Sequence, residues 1–557
     1  MRIILLLASL ILFSSCSNQT ETGFIYHNVN GYTLGGDGQL KTFDALIFQH
    51  GKVLDYGSLV ELEEFYGQFP LKRIDGQGNT ILPGLIDAHA HVMGLGIQEL
   101  DVNVAGIESL FETLHTIEEF AAEHPDREWI TGRGWNQVLW EENEFPTAEV
   151  LDEVVSDRPV FLTRIDGHAG WANSRAMELA GIDKDTENPT GGRIIRNENG
   201  EATGVFIDSA MNLIENNTPE KTEKDYREAL QLAMDEMSKH GLTSVHDAGI
   251  DTQTWNLYTD LADKDSLITR IYAMISGTGR TFDALSKNGP IESYANDLLA
   301  LQSVKLYSDG ALGSRGAAML NEYSDDPGNK GLLFNTQEEM NQMLFKGASA
   351  GYQMNVHAIG DAGNRQVLDG FAYLENELGD QDSFRHRVEH AQVVALEDIP
   401  RFKELGLIAS MQPTHATSDM NMAEDRVGSE RIQEAYAWQR FLDQGTVIAA
   451  GSDFPVEDVN PFYGLYSAVT RKDHQGRPPE GWYSEQSLSR TEALRAFTVD
   501  AAYAAHQEHL IGTLEPGKWA DFIVIDRDYF EVPASEIWQI EVLETWVAGE
   551  KVYQKEN

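Results

Sequence analysis

Four histidines and one aspartate follow apolar segments of the sequence, where metal ligands would be placed. His89 and His91 are two residues apart, so in a strand both side chains point to one face. His357, His390 and Asp453 each follow a later apolar run. A single histidine of this kind is more often structural, but five such residues are hard to explain by packing. Together they predict a nitrogen-and-oxygen site for zinc or a similar divalent ion.

Lys305 follows another apolar run and is the unusual member of this set. Burial beside metals favours the neutral amine, which can take up carbon dioxide to form a carbamate. The two oxygens of a carbamate can bridge two metals, as those of a carboxylate do. From spacing alone, a lysine that reaches the surface or pairs with Asp309 is an equally open explanation.

The elements that must position these residues are eight apolar strand candidates that alternate with helical patterns. This alternation is typical of βαβ units, and eight units in order predict an α/β fold, a (β/α)8 TIM barrel over residues 83–509. The reactive groups of such a barrel lie at the carboxyl ends of its strands. The candidates are ILPGLIDAHAH, LTSVHDAG, ITRIYAMI, SVKLYSDG, YQMNVHAIGD, HRVEHAQ, LIASMQPTH and TVIAAGSDFP.

Two further units are expected around the barrel. Residues 96–240 separate the first two strand candidates, are too long for a plain crossover, and predict an inserted lid subdomain over the barrel mouth. Residues 23–82 and 510–557 contain alternating apolar residues and glycine-rich turns, which are typical of antiparallel strands. We therefore predict a small β-sandwich domain formed from both termini.

The first residues have the pattern of a secretory signal. Residues 1–15 contain one basic residue and a short apolar run that leads into Cys16, the only cysteine. This resembles a bacterial lipoprotein signal, which predicts a lipid anchor at Cys16 and a place in the cell envelope, periplasmic or at the outer membrane. The alternative is an ordinary signal peptide. If Cys16 is acylated, disulfides, cysteine nucleophiles and thiolate ligands are excluded.

The charge of the chain limits its partners. Its 557 residues include 89 acidic and 42 basic residues, with a formal net charge of −47. Such an acidic surface repels phosphate backbones and anionic lipids, so we expect no nucleic acid and no membrane contact beyond the lipid anchor. Solubility is the simplest reason for the charge, and attraction of a cationic substrate or of metals is the other.

Several motifs, in this order along the chain, resemble those of the amidohydrolase superfamily. The closer resemblance is to its branch of N-substituted formamide deformylase and YtcJ-like proteins, amidohydrolase family 3, and it runs from about Gly23 to the C-terminus. The motifs are PGLIDAHAH, VKLYSDGALGSRGA, HAIGDAGN, RVEHAQ, AAGSDFPVE and GTLEPGKWADFIVID.

The resemblance implies two divalent metals, most readily zinc, and a role for each ligand. His89 and His91 would bind the more buried metal, and Asp453 would complete its site. Carboxylated Lys305 would bridge the two metals, and the outer metal would be bound by His357 and His390.

The implied reaction is hydrolysis of a non-peptide amide of a small molecule, such as an N-acyl or N-formyl amine. A metal-bound hydroxide would attack the carbonyl, and Asp453 would pass its proton to the leaving nitrogen. Trp135 and His168 resemble family positions near the substrate, and Arg315 is a candidate for binding a substrate carboxylate. A homodimer is expected on family grounds alone.

Three other functions stay open at this point. A hydrolytic deaminase would use one metal, with Glu389 or a neighbouring histidine moving protons. An esterase or lactonase would use the same two-metal site, because the same hydroxide attacks esters. A lipid-anchored solute-binding protein would suit the signal and the acidic surface, but it has no need for metal ligands at five strand ends.

Overall fold

The computed structural model describes residues 23–36, 38–165 and 167–556. The predicted signal peptide and Cys16 lie outside the described residues. In the part of the chain that is described, no helix is both long enough and apolar enough to cross a membrane.

Eight parallel strands form a nearly closed barrel at the centre of the chain, so the predicted TIM barrel is confirmed. Each strand pairs with the next one along the chain, and a short antiparallel strand, Ile291–Tyr294, adds to the fourth. Most strand residues are buried, because one face meets the barrel interior and the other meets helices. The strands are β1 (Leu85–Ala90), β2 (Leu242–Ile250), β3 (Arg270–Ser276), β4 (Leu299–Tyr307), β5 (Gln353–Ala358), β6 (Arg387–His390), β7 (Ile408–Met411) and β8 (Ile448–Ala450).

Amphipathic helices surround the barrel and cover its strands. Glu223–Lys239, which leads into β2, begins with a capping box between Thr222 and Asp225 and buries one apolar face. The other helices around the barrel are Val92–Leu100, Thr252–Asp263, Arg280–Leu285, Gln337–Ser349, Asp361–Leu378, Ile399–Glu404, Pro413–Asp419, Ala423–Arg431, Trp438–Asp443, Pro461–Thr470, Arg490–Ala496 and Val499–Ala504. Short 3-10 helices lie at Ser286–Asn288, Asp382–Phe384, Ile432–Glu434, Ser484–Gln486 and Ala534–Gln539.

A six-stranded sheet with its own hydrophobic core lies between β1 and β2. Trp135, Trp140 and Trp171 pack together in this core, with ring centroids 6.0–6.4 Å apart. The strands, in spatial order, are Gly192–Arg196, Ala202–Asp208, Ala169–Ala172, Val160–Arg164, Ile130–Trp135 and Val102–Asn103. Its helices are Leu110–Glu123, Ala148–Val154, Ser174–Leu179 and Asn212–Glu215, with a 3-10 turn at Gln137–Leu139. The domain limits given from the sequence stay predictions.

The two ends of the chain build one mixed eight-stranded sheet, which confirms a domain formed from both termini. Thr80–Pro83 and Phe522–Ile525 pair antiparallel and join the N-terminal strands to the C-terminal ones. Aromatic rings fill its core, with Phe522 stacked on Trp546 at 5.2 Å. The remaining strands are Gly23–Leu34, Leu40–Gln49, Lys52–Gly57, Leu71–Asp75, Val542–Val547 and Glu550–Gln554, and the helix Leu59–Tyr66 lies on this sheet.

A buried ion pair connects the terminal domain to the barrel. Arg270, the first residue of β3, donates from Nε and Nη2 to the carboxylate of Asp521, at 2.6 and 3.0 Å. Both side chains are at most 3% exposed. The backbone N–H of Ala548 also donates to Asp521 Oδ1 at 2.7 Å, so the carboxylate is well satisfied only inside the folded interface.

Replacing Arg270 with Met should leave the Asp521 carboxylate buried without its charge partner. We expect the free energy of unfolding to fall by about 3–5 kcal/mol. Denaturant unfolding followed by circular dichroism measures this change. The exposed pair between Arg73 and Glu63, whose side chains are 50% and 45% exposed, is the matched control. Arg73→Met should cost less than about 1 kcal/mol, and equal losses in the two variants would contradict the assignment.

Candidate metal centre

His89, His91 and Asp453 meet where β1 ends and where the chain leaves β8. Asp453 Oδ1 lies 3.1 Å from His91 Nε2 and 3.5 Å from His89 Nε2. A backbone hydrogen bond joins the end of β1 to the segment that follows β8, because Asp453 N donates to His89 O at 2.7 Å. Gly451 permits this approach, since a Cβ there would lie 2.5 Å from His89 N.

Lys305 is buried near the carboxyl end of β4. Its Nζ is 3.0 Å from His89 Nε2 and 4.8 Å from the centre of the Tyr307 ring. Burial lowers the pKa of Lys305 to about 8, although Glu389 and Asp453 act in the opposite direction. Asp309 binds the backbone N–H groups of residues 318, 359 and 360, so the pairing of Lys305 with Asp309 considered above is not formed.

The orientation of His89 is determined by a buried chain of charged groups. Its Nδ1 lies 2.5 Å from Glu389 Oε2, and Arg387 donates to the other oxygen of Glu389 at 2.8 Å. Burial alone would raise the pKa of Glu389, but Arg387 and His89 hold it well below its usual range. A carboxylate at Nδ1 leaves the Nε2 lone pair of His89 free to bind a metal. Burial, and next the Lys305 charge, lower the pKa of His89 to about 4.

His357 and His390, at the ends of β5 and β6, lie side by side with ring centroids 4.4 Å apart. Nδ1 of His390 is hydrogen-bonded to Gln412 Oε1 at 2.8 Å, which leaves Nε2 available. Burial, and next the Lys305 charge, lower the pKa of His357 to about 3. Its Nε2 is buried and has no hydrogen-bond partner among the residues that the structure describes.

His415 is the site residue that the sequence analysis missed. It lies in the helix that follows β7, with Nε2 3.7 Å from Asp453 Oδ2 and its ring 5.9 Å from that of His390. This Nε2 is also buried without a hydrogen-bond partner in the described chain. The available signal was its position: it ends the segment LIASMQPTH, the seventh strand candidate.

Two of the site residues have a backbone conformation that non-glycine residues rarely adopt. His390 has φ 72° and Asp453 has φ 65°, both in the left-handed region. The loop that contains Asp453 is fixed by Asp87, whose carboxylate accepts hydrogen bonds from the N–H and Oγ of Ser452. Burial raises the pKa of Asp87 to about 7. Strained backbone held in this way is typical of functional sites.

The donor set fits divalent metals. Two groups, His89 with His91 and Asp453, and His390 with His415 and Asp453, have ligand atoms within 4.8 Å of one another. A tetrahedral ion with ligands at about 2.0 Å separates them by roughly 3.3 Å, which is close to the distances from Asp453 to His89 and His91. Buried imidazole nitrogens without partners are also what such an ion requires.

The three residues predicted near the substrate have other partners in this structure. Trp135 is fully buried in the core of the inserted sheet, where its N–H donates to Leu162 O at 2.9 Å. Arg315 forms a two-point ion pair with Asp325, at 3.1 and 2.8 Å. His168 is exposed, with Nδ1 2.8 Å from Asp208 Oδ1. Packing is the role that the structure shows for Trp135, and ion pairing is the one it shows for Arg315. A role of these three residues at the substrate stays a prediction.

Curated relatives match the chain over nearly its full length. "Protein LONG AFTER FAR-RED 3" of Arabidopsis thaliana is 34% identical, covering 94% of this chain and 91% of its own. "Putative amidohydrolase YtcJ" of Bacillus subtilis is 30% identical, with coverage of 95% and 99%. "N-substituted formamide deformylase" of Arthrobacter pascens is 28% identical, with coverage of 86% and 90%. These matches confirm the branch to which the motifs point.

A solved structure and a family profile lead to the same assignment as these relatives. The crystal structure of an uncharacterized metal-dependent hydrolase from Pyrococcus horikoshii superimposes with a TM-score of 0.73 at 26% identity. The superposition covers 92% of this chain and 99% of that one. The profile of the family described as "Amidohydrolase family" matches residues 72–553. Because that match includes most of its length, the chain belongs to the amidohydrolase family.

Proposed function

We propose that the chain hydrolyses a non-peptide amide of a small molecule, such as an N-acyl or N-formyl amine. Family membership supports the coarser part, a metal-dependent hydrolase that acts on C–N bonds. The observation that carries the finer part is the position of Asp453 beside His89, His91 and His415 at the carboxyl end of the barrel. This is where TIM-barrel enzymes perform their chemistry.

Two divalent metals, for which zinc is our first choice, would be bound by the side chains at the strand ends. His89, His91 and Asp453 would hold one, and His357 and His390 would hold the other. Lys305, as its carbamate, would bridge them. The support for the bridge is the burial of Lys305 at 3.0 Å from His89 Nε2, since a permanent cation there would oppose metal binding.

When bound, such a metal pair polarises a carbonyl group and lowers the pKa of water. The side chains of this chain move the proton. Burial acts to raise the pKa of Asp453, but the hydrogen bond from His91 and the charge of His89 hold it well below its usual range. Asp453 therefore stays ionised, as a proton acceptor must be. As the base, its carboxylate would take up a proton and deliver it to the leaving nitrogen.

Two further proposals concern the whole protein. Cys16, outside the described residues, would anchor the mature chain by lipid to the bacterial cell envelope. A homodimer is proposed by family analogy alone.

The first experiment is metal content per chain, in protein purified without chelator from a form that begins after Cys16. We expect about two equivalents in the wild type and a sharp fall in Lys305→Ala, because the bridge is lost. Reloading of metal-free wild type should also require bicarbonate, the source of the carbamate.

Lys346→Ala is the matched control, since Lys346 is half-exposed and pairs with Asp283 outside the centre. It should keep the wild-type metal content. About one equivalent in the wild type, unchanged in Lys305→Ala, would overturn the bridge and favour a deaminase with one metal.

Asp453→Asn tests the proton transfer. We expect the variant to retain metal but to lose several powers of ten in kcat with N-acyl and N-formyl amines, because an amide cannot accept the proton. Metal analysis and steady-state kinetics on the same preparation measure both quantities. Near-normal turnover in Asp453→Asn would refute its role as the base. Cleavage of matched esters but of no amide would instead support the esterase alternative.

A further inference from the structure

His91 is a proposed ligand whose ring is not oriented by a second side chain. The rings of His89 and His390 are each held at Nδ1, by Glu389 and by Gln412. The side chain of His91 is 34% exposed, and its one polar contact within the described chain is with Asp453, at 3.1 Å. The place where His91 presents its ring therefore depends on how its backbone is held.

The backbone is held on both sides of His91. Its own N–H donates to Phe454 O at 2.8 Å, and the next residue, Val92, begins the helix Val92–Leu100. The first N–H groups of a helix have no partner within it, and His91, at the N-cap, supplies no side-chain cap. The acceptor comes from another strand: the N–H of Val92 donates to Asp247 Oδ1 at 3.1 Å. A carboxylate is the group that a helix N-terminus favours.

Asp247 is itself fixed near the end of β2, where it pairs with Ala90 of β1. Its side chain is buried, and Oδ2 accepts a hydrogen bond from the hydroxyl of Tyr258 at 2.6 Å. Tyr258 is fully buried in the helix Thr252–Asp263. Because both carboxylate oxygens are engaged, the carboxylate cannot rotate without breaking a buried hydrogen bond, which is costly.

The preceding residue of β2 connects to the other histidine of β1. Nδ1 of His246 lies 2.9 Å from Arg387 Nη1. Arg387 binds Glu389, and Glu389 binds His89. Two adjacent residues of one strand therefore lead, by separate routes, to the two histidines at the end of β1.

We propose that Asp247, held by Tyr258, is a positioning residue for His91. By binding the N–H of Val92, Asp247 fixes the turn from β1 into the helix, and with it the point from which His91 presents Nε2 to a metal. The inference rests on the metal site of the proposed function, but not on the substrate. If Asp247 only capped the helix, its loss would lower stability and leave metal affinity unchanged.

The test is Zn²⁺ affinity, measured by competition with a chelator on the form that begins after Cys16. Asp247→Ala should bind Zn²⁺ about 10- to 100-fold more weakly than the wild type, the usual effect of losing a group that orients a ligand. Asp247→Asn should restore the affinity, because its Oδ1 can accept from Val92 while its Nδ2 donates to the Tyr258 hydroxyl. The visible absorption of bound Co²⁺ should likewise change in Asp247→Ala and be restored in Asp247→Asn.

Asp44→Ala is the matched control. The Asp44 carboxylate also accepts from the first N–H of a helix, that of Leu59 in the terminal domain. This variant should bind Zn²⁺ as the wild type does. Wild-type affinity in Asp247→Ala would show that Asp247 is only a helix cap and would overturn the inference. Equal losses in Asp247→Ala and Asp247→Asn would also overturn it, because charge rather than hydrogen bonding would then be decisive.

A milder variant keeps the test open if Asp247→Ala does not fold. Tyr258→Phe removes one hydroxyl and frees one oxygen of Asp247, so Zn²⁺ binding should weaken, by less than in the alanine variant. Tyr529→Phe is its control, since this buried hydroxyl donates to Arg490 O away from the proposed ligands. Equal Zn²⁺ affinity in Tyr258→Phe and Tyr529→Phe would contradict the role of Asp247.

The measurement needs no substrate, so it separates this inference from the proposed function. If Asp247→Ala alone loses Zn²⁺ affinity and no amide is hydrolysed, the proposed reaction fails and the role of Asp247 stands. If amides are hydrolysed and Asp247→Ala binds Zn²⁺ normally, the reverse holds. A wild type that binds neither Zn²⁺ nor Co²⁺ would overturn this inference together with the metal site.

Discussion

The contact of Arg387 with Glu389, and of Glu389 with His89, is the constraint on which the centre depends. All three side chains are fully buried, and removing one member would leave a charge without compensation inside the barrel. The contact also determines which nitrogen of His89 faces Lys305 and Asp453. The buried charges of Arg387 and Glu389 therefore orient His89, and the other metal-binding side chains are arranged around His89.

The barrel carries the metal-binding side chains, and the inserted sheet is a separate unit beside it. The barrel, the inserted sheet and the terminal sheet each have a hydrophobic cluster of their own. Residues on the insert can therefore change without disturbing the strands that carry the histidines. Loops and insertions at the carboxyl end of a TIM barrel commonly provide specificity in this way.

The positions that sequence patterns predict well are those controlled by local rules. The eight barrel strands coincide with apolar runs that sequence patterns detect. Lys305 and His357 lie near the ends of two of these strands, and Asp453 lies shortly after a third. The sequence analysis missed His415 because this residue lies in the first turn of the helix after β7 rather than on the strand. Its closeness to Asp453 depends on the pairing of distant elements. The partners of Trp135 and Arg315 likewise become visible only in three dimensions, and the roles of both residues at the substrate stay predictions.

The pairing of Thr80–Pro83 with Phe522–Ile525 has a consequence for how the protein is made. The early strands of the terminal sheet leave the ribosome long before the strands that complete it. Until then they present an unpaired edge and aromatic side chains, including Phe48, whose neighbours Phe522 and Trp546 arrive last. The terminal sheet can therefore be completed only late in synthesis, after the chain has been translated almost to its end.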